Sequence, residues 1–558
     1  MTTTELQPPR SEADGAADAV HAYHQRTKHR FAAYATGPET LDWDAQPAPF
    51  RHFEGAQRIR LPLATDAGNP VAARLTRGFS SLDSGLAALP LTLHTLGALL
   101  HLSLGLTAWK STGPDRWAVR ANPSSGNLHP AEAYLFIRGM RGVADGLYHY
   151  LPESHELECR AGIEPSAGGA ASVHVALSSV MWREAWKYGE RSFRYCQLDT
   201  GHAVGALRYA AAMLGWTLGA QPGIDGASLA ALLGLDRLQD FPARRVLETE
   251  LEEPELLLGI GCDGRRPPLL APVGTPVWHG IASTIDRHPM YRWSVVGDVA
   301  AATRGRTPLA GASAMIGARA PLAAAPIDRP VGEVLLGRRS AQRFDPCEVM
   351  PKAGFFRLLG RLLAHDGASW DALPCGWRID LLLFVHRVEG LQPGVYLLSR
   401  GALGRGLYAH LSPALTPVAV PDAGFDLHLL QDFAPAALAR LARSLHCHQD
   451  VASNACFALG MLCEFDAALT ASAAAYRELH RQAGLIGQVL YLQAEAAGLR
   501  GTGIGCFFDD AVHALLGLDD SRWQTLYHFT VGRAIDDVRI ESSPAYAGRE
   551  PAAPGAVP

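Results

Sequence analysis

The segment "YLFIRGMRGVADGLYHY" (134–150) decides the fold, because a second segment with the same pattern, "LLFVHRVEGLQPGVYLL" (382–398), follows it later in the chain. Each contains an apolar run, a turn, and a second apolar run that begins at a glycine, Gly146 in the first and Gly394 in the second. The pattern predicts two strands joined by a turn. Its recurrence indicates that the chain contains an internal repeat.

Further segments correspond in the same order. "DTGHAVGALRYAAAMLGW" (199–216) and "QAGLIGQVLYLQAEAAGL" (482–499) carry equally spaced glycines, Gly201 and Gly215 in the first and Gly484 and Gly498 in the second. Each predicts a close-packed helix with a glycine near its C-terminus. The runs "EPELLLGIGC" (253–262) and "WQTLYHFTVGRA" (523–534) then predict a strand in each half. This order predicts an α+β layer fold that is used twice.

The domain organisation follows from the repeat. The 558 residues are too many for one hydrophobic core, since such cores stop growing at roughly 250 to 300 residues. An Ala-, Gly- and Pro-rich segment near the middle has the composition of a linker. The predicted parts are an N-terminal helix and extended arm (1–60), a first repeat (61–300), the linker (301–330), a second repeat (331–541) and a disordered tail (542–558).

Composition and charge exclude several classes of function. The chain is 48% hydrophobic and 19% charged with a net charge of −5, which predicts a soluble globular protein without nucleic-acid or membrane partners. It has neither a signal-peptide pattern nor an apolar run of about 20 residues, which predicts a cytoplasmic location. The nine cysteines form no Cys-x-x-Cys pair and are expected to be reduced and mostly buried. The segment "HCHQD" (446–450) lacks a second pair of ligands, so no metal site is expected there.

Three segments carry a resemblance to a known family: "PSSGNLHPAEAYL" (123–135), "KYGERSFRYCQLDTGH" (187–202) and "GRRSAQRFD" (337–345). Together they resemble the FMN-dependent nitroreductase superfamily, and within it the SagB/ThcOx-type dehydrogenases that carry the fold twice in one chain. The resemblance implies a central antiparallel-type sheet flanked by helices in each repeat. Family members are usually homodimers with FMN at the interface, so it also implies an intramolecular pseudo-dimer, present as a monomer or a homodimer.

The two repeats keep different parts of the family's flavin site. The first repeat keeps the Pro-Ser-Ser loop, but its segment "LTRGFSSLDSG" (75–85) does not match the Arg-Arg-Ser motif. The second repeat keeps "GRRSAQRFD" and the glycine-rich "GLRGTGIGCFFDD" (498–510), but has "ALPCGWRIDLL" (372–382) in place of the loop. The resemblance therefore implies one composite FMN site per chain, built from the two intact halves.

The residues expected to hold FMN follow from these motifs. Small and polar loop residues suit the ribityl chain and the ring edge, and guanidinium groups suit the phosphate. We expect the Arg-Arg pair at the start of a helix capped by Ser340, and the amides of Ile504 and Gly505 in a turn near the ring. The expected cofactor-binding residues are Pro123, Ser124, Ser125, Asn127, Arg338, Arg339, Ser340, Arg343, Ile504, Gly505 and Arg533.

The resemblance also implies a catalytic pair, Lys187 and Tyr188. In azoline-oxidising relatives a Lys-Tyr pair removes the proton next to a carbonyl while FMN accepts the hydride. A lysine can act as a base only if burial or a cationic neighbour lowers its pKa. Three functions stay open: an FMN-dependent dehydrogenase or oxidase acting on a peptide or other natural-product intermediate, an NAD(P)H-dependent nitro or quinone reductase, and a non-catalytic flavin- or peptide-binding scaffold.

Overall fold

The computed structural model describes residues 12–165, 170–242, 247–305, 327–365, 367–373, 376–400 and 404–549. Most of the expected linker, and Cys375 in the segment that replaces the loop in the second repeat, lie outside these residues. The N-terminal part contains one helix and two short strands: α1 (Glu12–Arg26), β1 (Phe53–Glu54) and β2 (Arg58–Arg60).

The first repeat contains six of the described helices and ten of the described strands. The helices are α2 (Ala72–Leu75), α3 (Leu93–Ser103), α4 (Met181–Tyr188), α5 (Ser192–Met213), α6 (Gly226–Leu233) and α7 (Ser294–Ala302). The strands are β3 (Leu106–Thr112), β4 (Asp115–Arg120), β5 (Ala131–Arg138), β6 (Gly146–Leu151), β7 (Glu156–Gly162), β8 (Ser172–Ser179), β9 (Thr217–Ala220), β10 (Glu253–Gly261), β11 (Val277–Trp278) and β12 (Ile281–Ala282).

The second repeat and the segment after it contain the remaining described elements. The helices are α8 (Val331–Gly337), α9 (Lys352–Leu362), α10 (Gly404–Leu407), α11 (Pro435–Leu445), α12 (Asp450–Asn454), α13 (Asp466–Ala471), α14 (Ala475–Ala496) and α15 (Asp509–Leu516). The strands are β13 (Ile379–Val385), β14 (Gly394–Leu398), β15 (Val418–Ala419), β16 (Leu427–Asp432), β17 (Phe457–Glu464), β18 (Arg500–Ile504), β19 (Trp523–Gly532) and β20 (Glu541–Ser543).

Six strands of the two main sheets follow the same order, and the outermost strands, β11 and β15, come from different places in the chain. The first sheet has the order β11-β7-β6-β5-β8-β10-β9, with β2 also paired to β7, and the second has the order β15-β16-β14-β13-β17-β19-β18. Every strand pair in them is antiparallel. As the sequence pattern predicted, β6 begins at Gly146 and β14 begins at Gly394. Both strands are buried along their whole length, and His149 of β6 is the one polar side chain among them besides tyrosine.

The long helices α5 and α14 pack against each other between the sheets and join the repeats into one core. A Cβ atom on Gly201 would lie 2.9 Å from the Cα of Gly484, and one on Gly484 would lie 3.0 Å from the Cα of Gly201. The two backbones therefore touch at a point where only glycine fits. The predicted terminal glycines, Gly215 and Gly498, follow the two helices with φ values of 72° and 75°.

The two ends of the described chain help to join the repeats. Helix α1 contacts α7 of the first repeat and α13 of the second. Its His24 hydrogen-bonds Gln524 at 3.1 Å, and just beyond the helix Lys28 pairs with Asp510 at 2.7 Å. At the other end, β20 pairs with β3 of the first repeat. Tyr546 is half-buried there, donating to the Pro152 carbonyl at 2.8 Å. Residues 542–549 thus correct the expectation of a disordered tail, because a tyrosine and a strand within them pack on the first repeat. None of the described helices is long and apolar enough to cross a membrane.

A composite cleft between the two repeats

A cavity of about 280 Å³ lies between the repeats, and both contribute to its walls. The first repeat supplies the segment 123–127, which we call the polar loop, together with side chains of β3, β4 and α5. The second repeat supplies the residues after α8 and parts of α14, β18 and β19. The lining residues are Lys110, Trp117, Val119, Pro123, Ser124, Ser125, Gly126, Asn127, Asp199, His202, Arg338, Arg339, Ser340, Gln342, Tyr491, Thr502, Gly503 and Tyr527.

The polar loop has an unusual backbone. Gly126, Asn127 and His129 have φ values of 60°, 60° and 51°, in the left-handed region that non-glycine residues rarely adopt. The Asn127 side chain fixes the turn by donating to the Ala118 carbonyl at 2.8 Å and bonding the His129 ring at 3.1 Å. Asn127 was expected to serve the cofactor, and the structure shows that its amide also holds the loop in shape.

Arg338 joins the loop to the second repeat. Its buried guanidinium donates to the carbonyls of Ala121 at 2.9 Å and Arg120 at 3.0 Å, directly before the polar loop. Its Nη1 atom is buried and has no hydrogen-bond partner. A buried donor without an acceptor destabilises the folded state unless a bound group accepts its hydrogen bond. Two of the nitrogens of Arg338 therefore position the loop, and the third is available to the cavity that Arg338 lines.

The Arg-Arg-Ser motif does not begin a helix, which corrects the sequence prediction. Helix α8 ends at Gly337, and Arg338 to Ser340 follow it in extended backbone. Ser340 pairs with Gly501 of β18 as an isolated bridge, and its hydroxyl bonds the Tyr491 hydroxyl at 2.9 Å. The motif is anchored by the neighbouring strand, a long-range contact that the sequence pattern does not reveal.

A group of cations lies at one end of the cleft. Lys110 and Arg339 line both the cavity described above and an adjoining one of about 440 Å³, which Arg500 also lines. Burial and the charges of Arg338 and Arg500 lower the pKa of Arg339 to about 10. Burial, Arg339 and Arg500 also lower the pKa of Lys110. Arg500 is also paired with Asp536 at 2.9 Å, and an anion bound beside Lys110 and Arg339 would be stabilised by the remaining positive charge. The sequence analysis did not select Lys110, which lies in no motif, or Arg500, although Arg500 lies in the quoted glycine-rich segment.

Four of the expected cofactor residues lie outside both cavity linings. Ile504 is the last residue of β18, and the Gly505 carbonyl accepts from Arg191 at 3.1 Å. The glycine-rich segment is thus an edge strand, where a turn was expected, and its Thr502 and Gly503 face the cavity. Arg343 is exposed. Arg533 is exposed and forms a bidentate pair with Glu348 at 2.6 and 3.0 Å.

Two buried acids lie beneath the polar loop, and the sequence analysis missed both. Asp199 accepts from the Ser125 amide at 3.1 Å and from the Ser125 hydroxyl at 3.3 Å. Glu184 accepts from the Ser124 hydroxyl at 3.4 Å. Burial raises the pKa of Asp199 to about 7, although the two serines oppose this. Burial and the nearby Asp199 raise the pKa of Glu184 as well. The sequence contained a signal for Asp199, because it is the first residue of the segment 199–216, which matches 482–499 in the second repeat.

Lys187 and Tyr188 lie against the polar loop at the end of α4. A Cβ atom on Gly126 would lie 2.6 Å from the Tyr188 hydroxyl and 3.1 Å from Lys187 Nζ, so the glycine allows the close approach. Burial lowers the pKa of Lys187, and Glu184 acts in the opposite direction. The Trp43 ring lies 5.2 Å from Nζ on the outer side. Of the two conditions considered for a lysine base, burial and not a neighbouring arginine lowers the pKa of Lys187.

Arg191 and Arg194 connect the repeats. Arg194 pairs with Asp509 of the second repeat at 2.8 Å, and Arg191 pairs with the same carboxylate at 3.1 Å. All three side chains are buried. Burial alone would raise the pKa of Asp509, but the two guanidinium groups lower it to about 2. These arginines tie the segment after Lys187 to the second repeat.

The position related by the pseudo-symmetry lacks the polar loop. The segment that replaces this loop in the second repeat is bound to β9, with Ala220 N donating to the Ala372 carbonyl at 2.9 Å. Beside it, Arg208 forms a bidentate pair with Asp371, with both distances 2.7 Å. Trp370 and Trp377 pack edge to face with their ring centres 4.9 Å apart. A cavity of about 140 Å³ lies next to Ala220 and Leu373, about half the volume of the cavity at the polar loop.

Comparisons with known proteins agree with this architecture. The profile of the nitroreductase family matches the chain twice, at residues 116–242 and 425–533. A candidate nitroreductase of Methanocaldococcus jannaschii is 29% identical over 137 residues, which cover 23% of this chain and 66% of that protein. The crystal structure of a candidate nitroreductase from Anabaena variabilis has a TM-score of 0.66 at 22% identity, covering 93% of this chain and 99% of that one. The predicted α+β fold with two tandem nitroreductase-like domains is confirmed.

Proposed function

We propose that this protein is an FMN-dependent oxidoreductase of the nitroreductase family, of the SagB/ThcOx-like kind, with one FMN per chain. The observation that carries the proposal is the cleft itself, which places the polar loop of one repeat opposite the Arg-Arg-Ser segment of the other. Pseudo-symmetry would allow two such sites, and the replacement of the polar loop by residues 372–382 in the second repeat supports one.

The residues present fit FMN. The cations Lys110, Arg339 and Arg500 would hold the phosphate at the charged end, where they otherwise repel one another. The unpartnered Nη1 of Arg338 would donate to the bound cofactor. The small residues of the polar loop leave room for a planar ring. Tyr527 and His202, bonded to each other at 3.1 Å, would close the opposite wall.

Bound FMN would supply hydride transfer, and the chain's own residues would handle the proton. Lys187 is the proposed base, because burial lowers its pKa and it adjoins the loop that lines the cleft. Tyr188 is half-buried and would orient the substrate through its hydroxyl, which lies beside the same loop. The proposed substrate is a peptide or other natural-product intermediate with an acidic proton next to a carbonyl.

Cofactor content tests the composite site. The purified protein is expected to contain one FMN per chain, released by heat and quantified by chromatography. Arg339→Ala and Ser124→Trp, in different repeats, are each expected to lose it. Removing one charge-assisted contact costs about 1.5–3 kcal/mol, roughly a tenfold to hundredfold weaker affinity. Arg533→Ala is the matched control, since that exposed arginine lies outside the cavity linings. Two FMN per chain would contradict the single site, and none would favour a scaffold.

Turnover tests the proposed base. Lys187→Met should slow anaerobic bleaching of FMN by a thiazoline-containing peptide by roughly 10²- to 10⁴-fold, as expected when a general base is lost, while FMN content stays unchanged. Lys352→Met, at a half-exposed lysine of α9, is the control and should keep the parent rate. Rapid bleaching by NAD(P)H, equal in parent and Lys187→Met and without reaction with the peptide, would favour the nitro or quinone reductase.

A further inference from the structure

A pair of cysteines from the second repeat lies outside the cleft lining, and we call Cys447 and Cys506 the thiol pair. Cys447 follows α11 and Cys506 follows β18. The two segments are tied together, because Phe508 N donates to the Leu445 carbonyl at 2.9 Å and Gln449 Nε2 donates to the Cys506 carbonyl at 3.1 Å. The two thiols are neighbours, and each is the largest influence on the pKa of the other.

The backbone at one member of the thiol pair is unusual. Cys447 and His448 have φ values of 51° and 59°, a conformation that residues with a Cβ atom rarely adopt. Such conformations persist only where the surrounding structure enforces them, and they are concentrated at functional sites. The turn is what brings the Cys447 side chain back toward β18.

The surroundings of Cys506 favour its thiolate. The His29 ring accepts the Ala35 amide proton at Nδ1, at 2.9 Å, so a neutral ring carries its proton on Nε2 and can donate it to the Cys506 sulfur. The interaction with Cys447 lowers the pKa of Cys506, and His29 and Arg191 lower it further. Burial acts in the opposite direction and raises it. The interaction between the two thiols, with burial, raises the pKa of Cys447. Asp509, bound to Arg191, is the nearest fixed negative charge.

Exposure separates the thiol pair from the three buried cysteines, and adjacency separates it from the half-buried Cys159 and Cys262 and the exposed Cys347. Cys196, Cys456 and Cys463 are buried, and they fit the expectation of small core residues. Cys447 and Cys506 are half-buried, so a small oxidant can reach them. The described residues contain no group of three or more His, Cys, Asp or Glu side chains arranged to hold a metal. A redox-sensitive pair needs two adjacent thiols that an oxidant can reach, with groups beside one of them that favour its thiolate. His29 and Arg191 are such groups beside Cys506.

We propose that Cys506 and Cys447 form a peroxide-oxidisable dithiol, in which Cys506 is the attacking sulfur and Cys447 the resolving one. The Cys506 sulfur attacks a hydroperoxide, the O–O bond breaks, and Cys506 becomes a sulfenic acid as water or an alcohol leaves. The Cys447 sulfur then displaces the hydroxyl as water and forms the disulfide. Two thiols lose two electrons and two protons, and the peroxide is reduced by the same two electrons.

Oxidation would reach the cleft through short contacts. Gly505, next to Cys506, touches the Tyr195 ring, and Tyr195 packs on Tyr188 with ring centres 4.5 Å apart. In the disulfide, the Cys506 sulfur would no longer be a thiolate that accepts a hydrogen bond from His29. The proposal does not depend on the proposed function, because the thiols react whether or not FMN is bound.

The test uses the full-length protein, prepared both with and without added FMN. After reduction and removal of the reductant, the protein is treated with hydrogen peroxide, alkylated, and digested without reduction for mass spectrometry. The expected result is a linked peptide containing Cys447 and Cys506, loss of two of the nine titratable thiols, and full reversal by dithiothreitol. Cys506→Ser should abolish the link and leave Cys447 reduced.

Two further variants make the roles distinct. In Cys447→Ser the sulfenic acid of Cys506 should persist and be trapped by dimedone. Cys347→Ser, at an exposed cysteine elsewhere in the second repeat, should leave the link unchanged. The proposal is overturned if peroxide that oxidises Cys347 produces no link, or if Cys506 is overoxidised while Cys447 is intact beside it. Dimedone labelling of Cys447 in Cys506→Ser would reverse the roles and overturn the assignment.

Discussion

Gly484→Ala is expected to destabilise the protein by about 3 kcal/mol or more, the upper range for overpacking a core. A Cβ atom at this position would lie 2.0 Å from the Leu198 carbonyl oxygen. That atom belongs to the backbone of α5, which cannot rotate away as a side chain could. The two central helices would have to move apart, and the contacts between the repeats would loosen. Thermal unfolding monitored by circular dichroism measures the effect.

Gly297→Ala is the matched control. Gly297 also lies within a helix, α7, and a Cβ atom there would meet nothing within 4 Å. Since alanine is the better helix former by roughly 0.8–1 kcal/mol, this substitution should raise the melting temperature. The same change is thus expected to have opposite signs at the two sites. Equal effects would show that the α5–α14 contact is not tight.

Asp199→Asn is expected to remove a pH dependence of stability. Burial raises the folded-state pKa of Asp199 from 3.8 to about 7. Because the folded-state value is the higher one, this residue's contribution is fully present below about pH 4 and is lost as the pH rises through 7. At 1.36 kcal/mol per pKa unit, the loss is about 4 kcal/mol. The isosteric amide cannot ionise, so the variant should become more stable than the parent above pH 7.

Melting temperatures across this pH range check the prediction, with the parent and the variant compared at each pH. Asp298→Asn, at an exposed position of α7, is the control and should follow the parent curve. A parent curve that runs parallel to that of Asp199→Asn would contradict the raised pKa. The neighbouring Glu184 should add a change of the same sign, which Glu184→Gln would remove.

Local pattern predicted the fold well. Strand starts at Gly146 and Gly394 and helix ends near Gly215 and Gly498 depend on short-range preferences that each segment carries by itself. The division of the site between the repeats was also visible, because the motifs occur once each. The structure places Ser124 and Arg338 in the same cavity lining, as that division required.

The errors came from contacts between distant segments. The glycines of "GTGIG" suggested a turn, but they serve close packing in β18: a Cβ atom on Gly503 would lie 1.7 Å from the Tyr527 hydroxyl, and one on Gly501 would lie 2.5 Å from the Phe529 ring. Lys110 joins the site from β3, where nothing nearby in sequence marks it, and Asp199 joins it from α5, where the quoted motif did not reveal that its carboxylate faces the polar loop. These contacts form only when the two repeats are assembled, so a sequence pattern within one repeat does not reveal them.

The docking of the two chain ends has a consequence for the lifetime of the folded state. Since α1 contacts both repeats and β20 pairs with the first, separating the repeats requires both ends to be released as well as the α5–α14 contact. Interactions that form late in folding slow unfolding more than they speed folding. We therefore expect the two ends, which dock on formed repeats, to prolong the lifetime of the folded state against proteases, as exchanged arms do in an entangled dimer.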